Sequence, residues 1–440
     1  MNYVPHTDEE MQQMLKSIGV SSLDDLIKII PEKVRLQRDL NLPPALSEAE
    51  VLKMVNAFAK MNKSTDDYVC FMGGGAYDHF IPSVVGAVIE RPEFKTAYTP
   101  YQAEISQGTL QAMYEYQSMI CALTEMDIAN ASMYDAGTAL AEAAILAFNK
   151  THRTKFIIAG SVNSALTRVM ESECAGKNFE YTYIALEDGT ADLKALEAAV
   201  TKETAAVIVQ HPNFYGNLED VFAIEKIAHA AGALYTAVID PISLGILETP
   251  KGYNADIVVA EGQSLGIPLS FGGPYLGILA VKSALLRQMP GRLSGATEDK
   301  DHNRGFVLTM QTREQHIKRE RATSNICSNE GLYMLAAAVY MATMGKQGIK
   351  EVATQAFNKA HYLANEISKI NGFKLLNDKP FFEEFTVVAP VKPCEILKET
   401  LANGILAGIE TEKGLLIAVT EKRTKEEMDK FIDVLKKFAK

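Results

Sequence analysis

Between residues 68 and 325 short apolar runs alternate with helical periods, and this alternation restricts the fold more than any other feature of the chain. The runs are Phe156 to Ala159, Glu180 to Ile184, Ala206 to Gln210, Leu234 to Ile239, Ile257 to Val259 and Leu276 to Val281. They are short and rich in Val and Ile, as strands buried on both faces need to be. Helical periods lie between several of them, at Asn163 to Glu173, Asp192 to Ala199 and Ala223 to Ala231. The pattern predicts an α/β fold, with a largely parallel sheet covered by helices on both faces.

The flanks read differently. Thr7-Asp8-Glu9-Glu10 opens a helix with Met11, Met14, Leu15 and Ile18 on one face, a second helix is expected at Ser22 to Ile30 before Pro31, and a third at Ser47 to Met61. Residues 1–65 are therefore expected to form a helical arm, and residues 66–329 the large α/β domain. From residue 330 helices at Gly331 to Thr343 and Ile349 to Ile370 precede strands near Phe373, Phe385, Ile405 and Leu415, with helices from Pro393 and from Lys425 to Phe438. Residues 330–440 are expected to be a smaller α+β domain.

Composition bounds the function. A length of 440 residues is ample for a large core, and a net charge of −11 argues against nucleic acid and against an anionic membrane surface as partners. No apolar run approaches the roughly 18 residues of a membrane span, and the first ten residues lack the features of a secretory signal. The five cysteines, Cys70, Cys121, Cys174, Cys327 and Cys394, are scattered without a C-x-x-C pair. That spacing predicts no metal site and no disulfide framework, and it suits a reducing cytoplasm.

Five segments carry residues suited to chemistry. Tyr98 to Glu115 places Tyr98, Tyr101, Gln102 and Glu104 around Pro100 just before a helical stretch at Thr109 to Leu123. It reads as a rigid aromatic and polar loop facing a ligand, or as a subunit contact. Gly73-Gly74-Gly75 precedes Tyr77, Asp78 and His79, and its backbone amides suit an anion or a carboxylate. Ser132 to Glu142, including Gly137 and Thr138, looks like a loop entering a helix N-terminus, the usual place for a phosphate. Asp135 would repel a phosphate there and is better read as an N-cap. Asp240 ends an apolar strand, and Gln311 to Asn325 reads as a charged helix carrying Arg313, Lys318, Arg319 and Arg321.

The turn after Ile257 to Ala260, E-G-Q-S-L-G-I-P-L-S-F-G-G-P, has the shape that presents the Schiff-base lysine in α/β enzymes holding pyridoxal phosphate (PLP). Its lysine position holds Gln263, and an amide forms no imine. Neither Lys95 nor Lys282 follows such a strand and turn.

Several longer motifs carry a family resemblance. They are Y-T-P-Y-Q-A-E-I-S-Q-G at 98–108, N-A-S-M-Y-D-A-G-T-A at 130–139, H-P-N-F-Y-G at 211–216, A-D-I-V-V-A-E-G-Q-S-L-G-I-P-L-S-F-G-G-P at 255–274 and M-Q-T-R-E-Q-H-I-K-R-E-R-A-T-S-N-I-C at 310–327. Nearly end to end, the chain resembles the glycine cleavage system P-proteins, and among them the N-terminal-half subunit of the split glycine decarboxylases. The resemblance implies a type I PLP-dependent-transferase-like fold and an α2β2 assembly with a glycine dehydrogenase subunit 2, whose H-K-T-F-type turn carries the PLP lysine. The implied reaction removes CO2 from glycine and passes the aminomethyl group to the lipoyl arm of H-protein. Gln263 then marks a half without covalent cofactor, and Asp240, Gly137 and Thr138 are vestiges of a cofactor site. Tyr98, Tyr101, Gln102 and Glu104 are expected to form one wall of a pocket completed by the partner. The alternative is a scaffold subunit that contributes no active-site residue.

Overall fold

The computed structural model describes residues 5–95, 98–326 and 328–439. Cys327 lies outside them. The chain divides into two compact units, Met1–Lys63 and Ser64–Lys440.

The first unit is helical. Thr7 and Ser47 each close a reciprocal cap with the glutamate three residues on, Glu10 and Glu50, and so start the helices Asp8–Ile18 and Glu48–Ala59. The expected second helix is capped in the same way by Ser22 and Asp25 but shrinks to one turn, Leu23–Leu26, because the chain leaves helical geometry at Ile27.

The second unit is built on a seven-stranded sheet. From edge to edge its strands are Ile128–Ala129, Gly277–Val281, Ile257–Glu261, Leu234–Ile239, Thr204–His211, Lys155–Ala159 and Glu180–Ile184. The five from Ile257–Glu261 onward run parallel, while Gly277–Val281 is antiparallel to its neighbours on both sides. The edge strand Ile128–Ala129 carries no sequence signal, being only two residues long.

Strand periodicity splits the apolar residues between two cores. Ile157, Val207 and Val209 point to one side, with Leu110, Met113 and Ile120 of the helix Gln107–Thr124 and with Leu196 and Ile224. Phe156, Ile158, Ala206 and Ile208 point to the other, under Leu140, Ala144 and Ala147 of the helix Ala136–Thr151. Both faces of the sheet are covered, which is why its strands read as near-continuous apolar runs.

After the sheet, Leu293–Glu298 and Arg304–Thr309 form a hairpin. The expected charged helix over Gln311 to Asn325 is broken into turns at Gln311–Arg313, Gln315–Lys318 and Arg319–Arg321. Met310 and Arg319 adopt left-handed φ values of 57° and 54°, which end helical propagation on both sides. The two helices expected after Gly331 are present as one run, Gly331–Ser368, interrupted at Gly345. A four-stranded antiparallel sheet follows, ordered Lys374–Leu375, Glu384–Val388, Gly414–Ala418 and Ile409–Thr411. It packs with Leu363, Ile367 and Phe431 in a third core.

Candidate functional site

The parallel strands Thr204–His211, Leu234–Ile239 and Ile257–Glu261 carry Gln210, Asp240 and Glu261 at or just after their C-terminal ends. There they meet the first residue of the helix Ala136–Thr151 and the loop Gly73–Tyr77. Between them lies a cavity of about 200 Å³. This is the crevice in which open α/β sheets bind ligands. Glu383 and Glu384, at the start of the strand Glu384–Val388, close it from the smaller sheet.

PLP does not fit this cavity. Gln263, the residue expected at the lysine position, is 2% exposed and lies outside the lining. Its Oε1 accepts from Tyr77 N at 2.8 Å, and its Nε2 donates to the carbonyls of Tyr77 at 3.1 Å and Ile267 at 2.7 Å. The amide therefore fastens the Gly73–Tyr77 loop to the turn. The helix N-terminus is also taken. Asp135 accepts from Thr138 N at 2.7 Å, Thr138 Oγ1 accepts from Asp135 N at 3.1 Å, and Glu261 accepts from Ala136 N at 3.1 Å. Two carboxylates use the positive end of the helix where a phosphate would sit. Gly137 faces away, and a β-carbon on it would lie 3.0 Å from Val169. No lysine or arginine is among the described lining residues, while four carboxyl groups are.

The electrostatics follow from that crowding. Burial pushes the Glu261 carboxyl up to about 8, against the pull of the Leu276 and Ala136 amides. Burial likewise raises Glu384 to about 7, although Gly74 N donates to its Oε1 at 2.6 Å and Tyr77 OH to its Oε2 at 3.0 Å. Asp240 is raised by burial, and Glu383 is held well above the carboxylate range by burial and then by Asp240, Glu384 and Glu421. The glycine run does direct an amide at a carboxylate, but the carboxylate is the chain's own Glu384. His79 is buried, with Nδ1 2.6 Å from Glu421 Oε2, and Asp78 pairs with Lys422 at 2.9 Å and Arg423 at 3.0 Å. These contacts bind the loop to the C-terminal segment.

Tyr98, Tyr101, Gln102 and Glu104 lie elsewhere. All four are solvent-exposed, Tyr98 by 91% and Tyr101 by 60%, and none lines the cavity. They surround the single turn Ala103–Ile105 that leads into the helix Gln107–Thr124. Beneath Tyr101 sits Arg292, 3% exposed, with its guanidinium carbon 5.6 Å from the ring centroid and Nη2 3.5 Å from the hydroxyl. Ser328 Oγ at 2.9 Å and Asn329 Oδ1 at 3.1 Å hold its Nη1. The His316 ring stands edge-on to Tyr101 at 6.2 Å.

Sequence reasoning missed Arg292 and His316, since no periodicity marks a lone cation brought up by a hairpin. The cations it named behave differently: Lys318, Arg319 and Arg321 are exposed, while Arg313 is buried and donates to the carbonyls of Met289 and Gly291. Glu383 and Glu384 were also missed. Their signal was visible as adjacent acids opening an apolar strand. Lys282 is committed to Asp256 at 2.7 Å and to Asn254.

The chain has full-length relatives. The model of the family "Glycine cleavage system P-protein" matches residues 1–435. The "Probable glycine dehydrogenase (decarboxylating) subunit 1" of Chloroherpeton thalassium is 55% identical over 440 residues, covering 99% of each chain. A crystal structure of glycine decarboxylase (P-protein) of the glycine cleavage system, in inhibitor-bound form, is 41% identical and superposes over 100% of both chains with a TM-score of 0.91. Glutamate decarboxylase of Lactobacillus brevis is only 12% identical, over 92% of this chain and 95% of that one, and with a TM-score of 0.68 it shares the fold alone. The architecture is that of the type I PLP-dependent transferases. By its sequence and its fold, the chain is a member of the glycine cleavage system P-protein family.

Proposed function

We propose that this chain is subunit 1 of a split glycine dehydrogenase (decarboxylating), an oxidoreductase of glycine catabolism that works in the cytoplasm. It acts as an α2β2 heterotetramer with a subunit 2 that carries PLP, and lipoylated H-protein accepts the aminomethyl group. The observation that carries this reading is Gln263: the family model matches residues 1–435, yet the position expected to hold the lysine carries a fully bonded amide. PLP, in the partner, supplies the electron sink for the carbanion left by CO2.

This chain's part is positioning. The exposed Tyr98, Tyr101, Gln102 and Glu104 form the wall that meets the partner's site. Tyr98 and Tyr101 donate hydrogen bonds to the substrate carboxylate or the cofactor phosphate, and Glu104 orients them or moves a proton. Arg292 under Tyr101 keeps the hydroxyl aimed and adds a buried positive charge behind it. The wall also excludes water from the reacting carbon until the lipoyl arm enters.

Two measurements test the proposal. The purified chain alone is expected to release no CO2 from glycine, with activity appearing on addition of subunit 2; decarboxylation by the chain alone overturns the split. In the assembled enzyme, Tyr101→Phe and Glu104→Gln are each expected to lower kcat/KM at least tenfold, a loss of about 1.4 kcal/mol of transition-state stabilisation. The exposure of all four wall residues also suits a scaffold that lends only assembly. Changes within about twofold in both variants, with the tetramer intact, establish that scaffold reading.

A further inference from the structure

Apolar side chains stand exposed in the unit Met1–Lys63 far more densely than in the rest of the chain. Among the described residues 31 large apolar side chains are exposed; 18 of them fall between Met14 and Met61, and the other 13 are spread over Ser64–Lys440. Leu15 is the one buried residue among those described in the unit. The helix Glu48–Ala59 buries none of its residues, yet Val51, Val55 and Phe58 recur at the spacing of one helical face, with Leu52 and Met54 beside them. A helix of 12 residues is marginal in water unless such a face is packed against something. At the side-chain areas implied by roughly 25 cal/mol per Å², the 18 side chains together leave on the order of 1,000 Å² of apolar surface open. That total exceeds the roughly 300–600 Å² of the largest apolar patch on an ordinary monomer, and it is comparable to the ~800 Å² that one partner brings to a standard interface.

We propose that the arm is the docking element for subunit 2, and that the Val51, Val55 and Phe58 face of the helix Glu48–Ala59 seats in an apolar groove of that subunit. Anchors at i, i+4 and i+7 are the pattern by which an amphipathic helix enters a groove. This rests on the proposed function, which supplies subunit 2 as the partner. A complex that acts only when assembled calls for a large and apolar interface. Ser64–Lys440 exposes only 13 large apolar side chains among its described residues, so the arm holds most of the apolar surface that such an interface can use. A second copy of the chain is a poorer occupant. Residues 1–63 carry eight basic and nine acidic side chains, so nearly all of the net charge of −11 falls on Ser64–Lys440. Pairing two copies adds like charge to like, with no opposite charge on the arm to offset it. The same near-neutral balance leaves the arm without the excess of cations that draws an amphipathic helix to an anionic membrane.

Sedimentation of the full-length chain with subunit 2 tests the arm, with the double variant Val55→Asp, Phe58→Asp as comparison. The unmodified chain is expected to form a complex. The variant is expected to bind at least tenfold more weakly, with the melting temperature of the chain alone unchanged because neither side chain is buried. Trypsin gives a second measure, since Lys53 and Lys60 are exposed. Cleavage at both is expected in the chain alone and is expected to be at least tenfold slower in the complex. Should the variant not fold, the trypsin comparison decides, because it needs only the unmodified chain. Failure of the unmodified chain to bind subunit 2 overturns the proposed function and the docking role with it. Binding of subunit 2 by both chains within about twofold, or equal cleavage with and without bound subunit 2, overturns the docking role alone. So does a chain that is dimeric by itself and monomeric in the variant, which makes a second copy the occupant. A monomer whose Lys53 and Lys60 resist trypsin without subunit 2 overturns it as well.

Discussion

Gln263 shows how one side chain changes what a turn is for. The turn has the shape expected to present a lysine, but the amide makes two hydrogen bonds to Tyr77 of the Gly73–Tyr77 loop and a third to the Ile267 carbonyl of its own turn. Gln263→Ala leaves an N–H and two carbonyls without partners in a buried setting. It is expected to cost about 3 kcal/mol, read as a lowered denaturation midpoint in urea. Gln263→Lys is not expected to create a cofactor site, because the carboxylates of Asp135 and Glu261 still hold the helix N-terminus. Borohydride reduction with PLP followed by peptide mapping should find no adduct at residue 263, and an adduct there refutes the phosphate-exclusion argument. Glu261 adds a pH dependence. Its folded-state value, about 8, lies above the ordinary glutamate value of 4.5, so its contribution to stability is complete below pH 4.5 and is lost as pH rises through about 8. Glu261→Gln removes this dependence. The loss of stability between pH 5 and pH 8 should be smaller in the variant, by an amount on the order of 4 kcal/mol.

At the scale of elements, the cavity is held together by close approaches that sequence periods do not announce. Gly216, at φ +94°, lies so near the strand Glu384–Val388 that a β-carbon would stand 1.8 Å from the Glu384 carbonyl oxygen. Gly216→Ala therefore combines a strained backbone with a clash against backbone, and relief requires the strand that carries Glu384 to move. The variant is expected to lose at least about 3 kcal/mol or to fail to fold, seen in its melting temperature and soluble yield. The helix Ala136–Thr151 illustrates the opposite case. Its cap was legible, because an Asp followed three residues later by Thr before an apolar run is a local signal. Asp135 and Thr138 do cap each other. The use of Glu261 at the same helix end was not legible, since 125 residues separate it from Ala136.

For the whole molecule, sheet, layers and family were written in the chain. Five expected strands at Phe156, Glu180, Ala206, Leu234 and Ile257 are the five parallel strands, because burial on both faces demands continuous apolar runs. The hairpin Leu293–Glu298 with Arg304–Thr309 and the two-residue edge strand left no such trace, being partly solvated or too short to show a period. Local order along the chain also gave the expectation that Gln263 stands where a lysine would, and the reading of Asp135 as an N-cap, which the structure has. Tertiary structure alone decided which groups share a space. Gly73–Tyr77, Asp240, Glu261 and Glu383–Glu384 come from distant segments, and only folding brings them around one cavity. Tyr98–Glu104 is kept out of that cavity on an exposed turn, over an Arg292 that a hairpin delivers. Backbone preference and hydrophobic period act over a few residues and can be read along a sequence. Burial and charge proximity are properties of neighbours in space, and they exist only once the chain has closed on itself.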